Sequence, residues 1–500
     1  MGKIRELIKS LIPASDSVFE RSAKSAVWMT GVKWASRVSE ILLLIVLARL
    51  LAPRDFGLMG IALLSLAGIS RFTQIGLNQA LIQQKDENVD GYLDTTWCLE
   101  AGRGLLLFVV VFVSAPYIAS FFGEPGATRL IQAIGLSPLL IGLKNPGVVY
   151  FRKSLSFHKE FAYEVSSKFV RLLVGVAYAL VSPTVWALVF AFLASDLTRF
   201  VLSYVLHSYR PWPSFDRAAA YELIDFGKWI TASSIINFIY SRGDDVFVGW
   251  FLSATALGFY QYAYRIADMP STEISEVIAN VTFPAYSRLQ DEPEQLRNAL
   301  LRSLRIVGFA TYPVAFGIAL VAPSFVPVVL GPDWTPMIVT MQLLAVYGLL
   351  HALTRNFGSI WKAIDRPDIT AKVGLIRVLC IATLIWPATA RWGIEGTAAV
   401  VVGVYIFPML PLDVYWTAKV TEVEASQVFR EYLFPLVPAA TMFGVLWYAR
   451  GLYEMSHLVE LIVLIPAGAV VYFAVSFFIW RGFDWGIDED IFSIVRALKN

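Results

Sequence analysis

Residues 26–51, "AVWMTGVKWASRVSEILLLIVLARLL", and 56–82, "FGLMGIALLSLAGISRFTQIGLNQALI", decide the fold. Each run exceeds the roughly 20 residues that carry a helix across a bilayer core. Yet the stretch from Trp28 to Gln84 holds Lys33, Arg37, Glu40, Arg49 and Arg71 in its apolar interior. A charged side chain facing lipid near mid-bilayer costs on the order of 2.5–3.5 kcal/mol, even on the lenient insertion scale. These charges are therefore expected to face protein or a water-filled cavity.

The surrounding chain has the same character. Of its 500 residues 57% are hydrophobic and 16% charged, with a mean hydropathy of +0.61, the composition of a polytopic membrane protein. A net charge of +2 gives no bulk attraction for nucleic acid or for an acidic substrate, so only the distribution of charge informs. Cys98 and Cys380 both sit inside apolar runs, which leaves no disulfide framework and no cysteine zinc site. His158, His207, His351 and His457 are scattered without metal-ligand spacing, and no cofactor is expected. The first residues lack the continuous apolar core of a cleavable signal and read as a cytosolic segment. There Ile4, Leu7, Ile8 and Leu11 recur at helical spacing among Lys3, Arg5 and Lys9, which suits either a helix lying on the membrane surface or a frayed tail.

Apolar runs bounded by turn signals predict about fourteen spans by the window argument, near 26–50, 56–82, 96–121, 127–150, 160–181, 185–206, 228–252, 257–283, 302–330, 335–361, 369–389, 394–417, 432–450 and 457–480. Every second connection is basic: Lys85; Arg152, Lys153 and Lys159; Arg210 and Arg217; Arg288 and Arg297; Lys362 and Arg366; Lys419 and Arg430; Arg481, Arg496 and Lys499. The positive-inside rule then places both termini in the cytosol, which requires an even number of spans. Two cytosolic segments are amphipathic, the one leading into span 7 and the tail with Ile487, Ile491, Val495 and Leu498 on one face; for the tail a plain connector is the simpler reading.

At an offset of 201 residues, Trp28 and Thr30 align with Trp229 and Thr231, and "LLAPRDFG" (50–57) with "FLSATALG" (251–258). A looser match pairs "TVWALVFA" (184–191) with "GTAAVVVG" (396–403). A duplication relating spans 1–6 to spans 7–12 gives two parallel repeats about an axis along the membrane normal, with a cavity between them. The expected fold is thus all-α and polytopic, about 14 transmembrane helices in two six-helix lobes plus two extra helices. Its parts are a cytosolic N-terminal segment (1–25), an N-lobe (26–206), an amphipathic linker (207–227), a C-lobe (228–417), spans 13 and 14 (432–480) and a cytosolic tail (481–500).

Polar residues form stripes at helical spacing. Span 1 carries Lys33, Arg37 and Glu40; span 2 Arg71, Gln74 and Asn78; span 5 Glu164, Lys168 and Arg171. Span 7 carries Asn237, Arg242, Asp244 and Asp245, and span 8 Arg265, Asp268, Thr272, Glu276 and Asn280. Acid and base three apart, as in Glu100/Arg103, Asp196/Arg199, Arg242/Asp245 and Arg265/Asp268, can be local ion pairs that make charge tolerable in a bundle. The functional reading is a hydrophilic, partly cationic cavity for a phosphate-bearing substrate, because guanidinium forks match phosphate oxygens. Asp244, Asp245, Asp268 and Glu276 are candidates to bind a coupling proton or Na⁺, or serve only to neutralise arginines.

Three strings carry a resemblance: "FTQIGLNQALIQQKDENVDGYLDTTWCLE" (72–100), "VVYFRKSLSFHKEFAYEVSSKFV" (148–170) and "PWPSFDRAAAYELIDFGKWITASSIINFIYSRGDDVFVGWFLSATALGFYQYAYRIADMP" (211–270). They resemble the polysaccharide and O-antigen type flippases of the multidrug/oligosaccharidyl-lipid/polysaccharide exporter superfamily, over roughly residues 20–420. The resemblance implies alternating access that flips a polyprenyl-linked oligosaccharide from the cytosolic to the outer leaflet of the cytoplasmic (inner) membrane. It further implies cavity-facing arginines on spans 1, 2 and 8, where Arg37, Arg71 and Arg265 stand. Asp268, one turn from Arg265, is placed to neutralise it.

The leading expectation is therefore a lipid-linked saccharide flippase. Arg37, Arg71 and Arg265 would hold pyrophosphate; Gln74, Asn78, Asn237, Arg242, Tyr260 and Tyr264 would complete the cavity, tyrosines meeting sugar. Partners are the polyprenyl-linked saccharide, membrane lipids and other polysaccharide-assembly proteins. A drug or small-molecule antiporter on the same fold is the near alternative, disfavoured for a cationic drug by the excess of deep basic residues. A membrane glycosyltransferase or polymerase would need catalytic carboxylates in a sizeable outer loop, for which "APRD" (52–55) and its counterparts are too short; no enzyme is expected.

Overall fold

The computed structural model describes residues 18–73, 90–153, 157–452 and 455–483. Gln74, Asn78, the surface helix expected near 4–11 and the apolar face at 487–498 lie outside the described residues. Within them, all regular structure is helical. The first helices are α1 (Val18–Leu50), α2 (Pro53–Arg71), α3 (Asp90–Phe121), the short α4 (Ala127–Ile134) and α5 (Leu136–Gly142), α6 (Phe157–Val181), α7 (Trp186–Leu206) and α8 (Arg217–Phe251). Then come α9 (Ala254–Arg288), α10 (Pro293–Phe325), α11 (Ile338–Ala363), α12 (Pro367–Val404), α13 (Leu410–Thr421), α14 (Ala425–Leu452) and α15 (His457–Phe483).

Among the described residues seven helical stretches are long and apolar enough to cross a membrane: Gly91–Phe121, Trp186–Leu206, Pro293–Leu330, Pro332–Ala363, Pro367–Thr421, Ala425–Leu452 and His457–Gly482. Large apolar side chains point outward from them, such as Val109, Phe112 and Val113 on α3 and Ile462, Ile465, Phe473 and Phe478 on α15. So much exposed apolar surface fits a lipid solvent and not water. The protein is a multi-pass membrane protein.

The stretch Pro367–Thr421 folds back on itself. Gly393 takes φ 57°, ψ −138°, a conformation open to glycine and costly for other residues. Beside it the Thr389 and Thr397 hydroxyls meet at 2.8 Å. Residues eight apart in a straight helix would be separated by about 12 Å of rise, so the chain reverses here. A Cβ on Gly396 would lie 2.2 Å from the Ala388 carbonyl oxygen; the hairpin closes backbone to backbone.

Two compact units divide the chain, residues 1–255 and 256–500. In the first, α6 packs between α1 and α7, α2 against α4, α3 against α5, and α8 against α2 and α3. Glycines permit the closest approaches. A Cβ on Gly104 or Gly142 would strike the carbonyl oxygens of Pro138 and Glu100 at 2.4 and 2.3 Å, so α3 and α5 touch through their backbones. Small residues serve this end in lipid, where apolar burial no longer drives helices together and close packing does. In the second unit α10 is central, touching α11, α14 and α15, with Leu300, Val307, Phe357, Ile360 and Val428 in the core.

The 201-residue offset recurs in the element boundaries. α1 ends at Leu50 and α8 at Phe251; α2 starts at Pro53 and α9 at Ala254. The terminal bonds repeat too, Leu51 N to Leu47 O at 2.9 Å and Leu252 N to Val248 O at 3.0 Å. Both α1, with 33 residues, and α8, with 35, are about 50 Å long. That exceeds a hydrocarbon core of about 30 Å. Residues 217–227 of the amphipathic segment expected at 207–227 and the residues expected for span 7 thus belong to one helix, α8.

Candidate functional site

In the first unit the polar stripes of α1 and α6 face each other. Glu40 Oε1 accepts from Lys168 Nζ at 2.6 Å, and its Oε2 lies 3.5 Å from Arg37 Nη1. Two cations share one carboxylate, and all three side chains are only partly exposed. The next layer joins α6 to α7: Arg199 Nη2 donates to Glu164 Oε2 at 2.5 Å and Arg199 Nε to Ser167 Oγ at 3.3 Å. Asp196, the partner expected for Arg199 from spacing, instead accepts from Ser137 Oγ at 2.6 Å. The expected pairs Glu100/Arg103 and Arg242/Asp245 form, at 3.1 and 3.0 Å; Arg103 Nε also reaches Thr73 Oγ1, just past α2, at 3.1 Å. Arg71 is half-buried in the last turn of α2, Asn237 and Arg242 are exposed on α8, and Asp244 is half-buried beside the buried Asp245.

In the second unit α9 and α11 bring several predicted residues together. Asp268 accepts from Thr272 Oγ1 at 2.9 Å and faces His351 Nδ1 at 3.2 Å. Gly348 makes this possible, for a Cβ there would sit 3.1 Å from the Asp268 Cα. Tyr264 donates to Tyr347 OH at 2.7 Å, and Tyr347 stacks on His351 with centroids 5.5 Å apart. Tyr260 is fully buried, a packing residue in this conformation. Arg265 is exposed and Glu276 half-buried.

This network extends to residues that the stripes did not reveal. Tyr405 packs edge-on to Tyr347 at 5.0 Å. The Arg377 guanidinium lies 4.7 Å from the Tyr405 ring centroid and bonds its hydroxyl. Arg377 and Asp413 are both about 5% exposed. Each lies deeper in its apolar run than the other charge there, Lys372 or Glu395, and opposite charges deep in adjacent runs are the signal that would have found them. Among the described residues no group of three or more His, Cys, Asp or Glu is arranged to hold a metal ion. The arrangement is one of paired charges and aromatic hydroxyls inside helical units, suited to holding polar groups and moving protons or cations.

The model of a family described as polysaccharide biosynthesis protein matches residues 46–339. Lipopolysaccharide biosynthesis protein WzxC of Escherichia coli (strain K12) is 28% identical over 422 residues, covering 82% of this chain and 84% of its own length. Teichuronic acid biosynthesis protein TuaB of Bacillus subtilis (strain 168) is 24% identical over 408 residues, covering 80% and 83%. Among solved structures, the lipid II flippase MurJ in its inward closed conformation superposes with a TM-score of 0.70 at 15% identity, over 90% of this chain and 98% of that one. An inward-facing multidrug resistance MATE family transporter of the MOP superfamily follows at a TM-score of 0.59 and 14% identity, over 81% and 95%. At such identities the structural likeness speaks for the fold alone. The family match spans more than half of the chain, and the chain belongs to the polysaccharide biosynthesis protein family.

Proposed function

We propose that this protein is a transporter, not an enzyme, that flips lipid-linked oligosaccharide or polysaccharide repeat units across the cytoplasmic membrane by alternating access. The observation that carries the reading is the family match over residues 46–339, joined to a fold like that of a lipid II flippase. Fourteen spans in two parallel six-helix lobes, 26–206 and 228–417, with 432–480 as an appendage and both termini cytosolic, form the frame of the proposal. The recurrence of helix ends at the 201-residue offset supports the repeat. The drug-antiporter alternative shares the fold but not the family.

In this reading Arg37, Arg71 and Arg265 hold the pyrophosphate, and Gln74, Asn78, Asn237, Arg242 and Tyr264 meet the saccharide. Exposure of Asn237, Arg242 and Arg265 supports their access to a substrate, whereas Tyr260 would support the wall from behind. Among Asp244, Asp245, Asp268 and Glu276, Asp268 is the best placed to couple transport to a proton or Na⁺, because Thr272 and His351 already surround it. The test is a deletion strain analysed by mass spectrometry. A polyprenyl-linked repeat unit should accumulate and be cleared by the wild-type gene; normal polymer with no such intermediate would refute the reading.

A further inference from the structure

A cavity of about 590 Å³ opens at one end of the second unit, lined by Gln290, Arg366, Trp416, Lys419, Thr421 and Glu422 among others. Its volume falls within the roughly 300–1,000 Å³ of small-ligand sites. Three connections meet there: the one after α9, the α11–α12 turn, and the end of α13. Each carries basic residues of the set that the positive-inside rule assigns to the cytosol.

The wall is cationic and aromatic. Lys419 Nζ lies 5.4 Å and Lys372 Nζ 5.9 Å from the Trp416 ring centroid, and Lys419 is also 6.0 Å from the ring of exposed Tyr415. Arg366 donates to Asp368 twice, at 2.9 and 3.2 Å, and Lys372 Nζ donates to the same carboxylate at 2.9 Å. That pairing raises the Arg366 guanidinium above its ordinary value. One carboxylate thus serves two cations, while Lys419 lies against aromatic faces. Of the residues lining the cavity, Arg366 and Lys419 are cationic and Glu422 is anionic. Two turn residues at this end, Asp365 and Glu422, hold φ of 56° and 55°. Non-glycine residues keep such conformations at a cost, and they cluster at ligand sites.

We propose that this cavity binds the phosphate headgroup of an anionic membrane lipid, Lys419 and Arg366 meeting phosphate oxygens and Trp416 seating the apolar segment beside them. Basic pockets between transmembrane helices on the cytosolic side take such headgroups, and tryptophan favours the same depth. The site is separate from the residues assigned to the transported saccharide. A bulk phospholipid such as phosphatidylglycerol and a polyprenyl phosphate share the chemistry.

The full chain, purified in neutral detergent, is titrated with phosphatidylglycerol, phosphatidylcholine or undecaprenyl phosphate, and bound lipid is counted by native mass spectrometry. An anionic lipid should be retained about tenfold more tightly than phosphatidylcholine, and less so as ionic strength rises. Lys419→Gln combined with Arg366→Gln should erase that preference, while Lys419→Arg keeps it. Lys419 is exposed and Arg366 half-exposed at a turn, so the thermal midpoint of the double variant should match wild type, and the arginine variant provides a second check of folding. Preference for undecaprenyl phosphate over phosphatidylglycerol identifies the carrier lipid as the source, and the reverse identifies bulk phospholipid. Equal retention of phosphatidylcholine, or an undiminished preference in the double variant, overturns the proposal.

Discussion

Arg305 shows what a single charge does inside this protein. Its Nε and Nη2 donate to the two oxygens of Glu431 at 2.9 and 3.0 Å, and Glu431 is only 5% exposed. Removing one partner of a buried pair strands the other charge, which costs about 3–5 kcal/mol. Arg305→Met should therefore lower the thermal midpoint in detergent sharply, and adding Glu431→Leu should recover most of the loss. If the single and double variants melt alike, the pair is not what holds α10 to α14. The sequence did not disclose this pair, because its members lie 126 residues apart and meet only through the register of two helices. The same limit explains Arg199. Spacing offered Asp196 three residues away, but the carboxylate that reaches it is Glu164 on the neighbouring helix. Glu100/Arg103 and Arg242/Asp245 were legible because an i,i+3 contact needs only one helix.

At the scale of elements, helix ends were more legible than helix partners. The turn at Gly393 was predicted by an interruption between two apolar runs, and the structure supplies its physics, a positive φ and a backbone contact at Gly396. Gly393→Ala should cost about 1–3 kcal/mol through strain at that φ, ψ. Gly396→Val should be worse, since its Cβ would overlap the Ala388 carbonyl. Gly403→Ala, with open space around its Cβ, is the control and should melt as wild type does. Equal midpoints for all three would mean that α12 does not depend on a tight reversal. What could not be read from the runs was continuity: α8 runs unbroken through residues expected for the linker and for span 7, because no proline or glycine pair breaks it between Arg217 and Phe251. Deep charges outside the stripes were missed as well. Arg377 and Asp413 form no stripe, and only the meeting of α11, α12 and the segment 405–409 after α12 places Arg377 against Tyr405 and Tyr405 against Tyr347.

For the whole molecule, charges avoid lipid by pairing within and across helices, and the proposed function adds phosphate as a further partner of Arg37 and Arg71. The stretch from Trp28 to Gln84 posed that question, and Glu40 answers half of it by sharing Arg37 and Lys168. The direct measurement is flipping in proteoliposomes loaded with a polyprenyl-pyrophosphate oligosaccharide and probed with a membrane-impermeant reagent that modifies only sugar outside. Wild-type protein should expose sugar that protein-free vesicles keep hidden, at a rate that Arg37→Ala or Arg71→Ala lowers about ten- to a hundredfold, as expected for loss of a charged hydrogen bond to phosphate. Sugar that stays hidden with wild-type protein present, or both arginine variants flipping at the wild-type rate, would contradict the account.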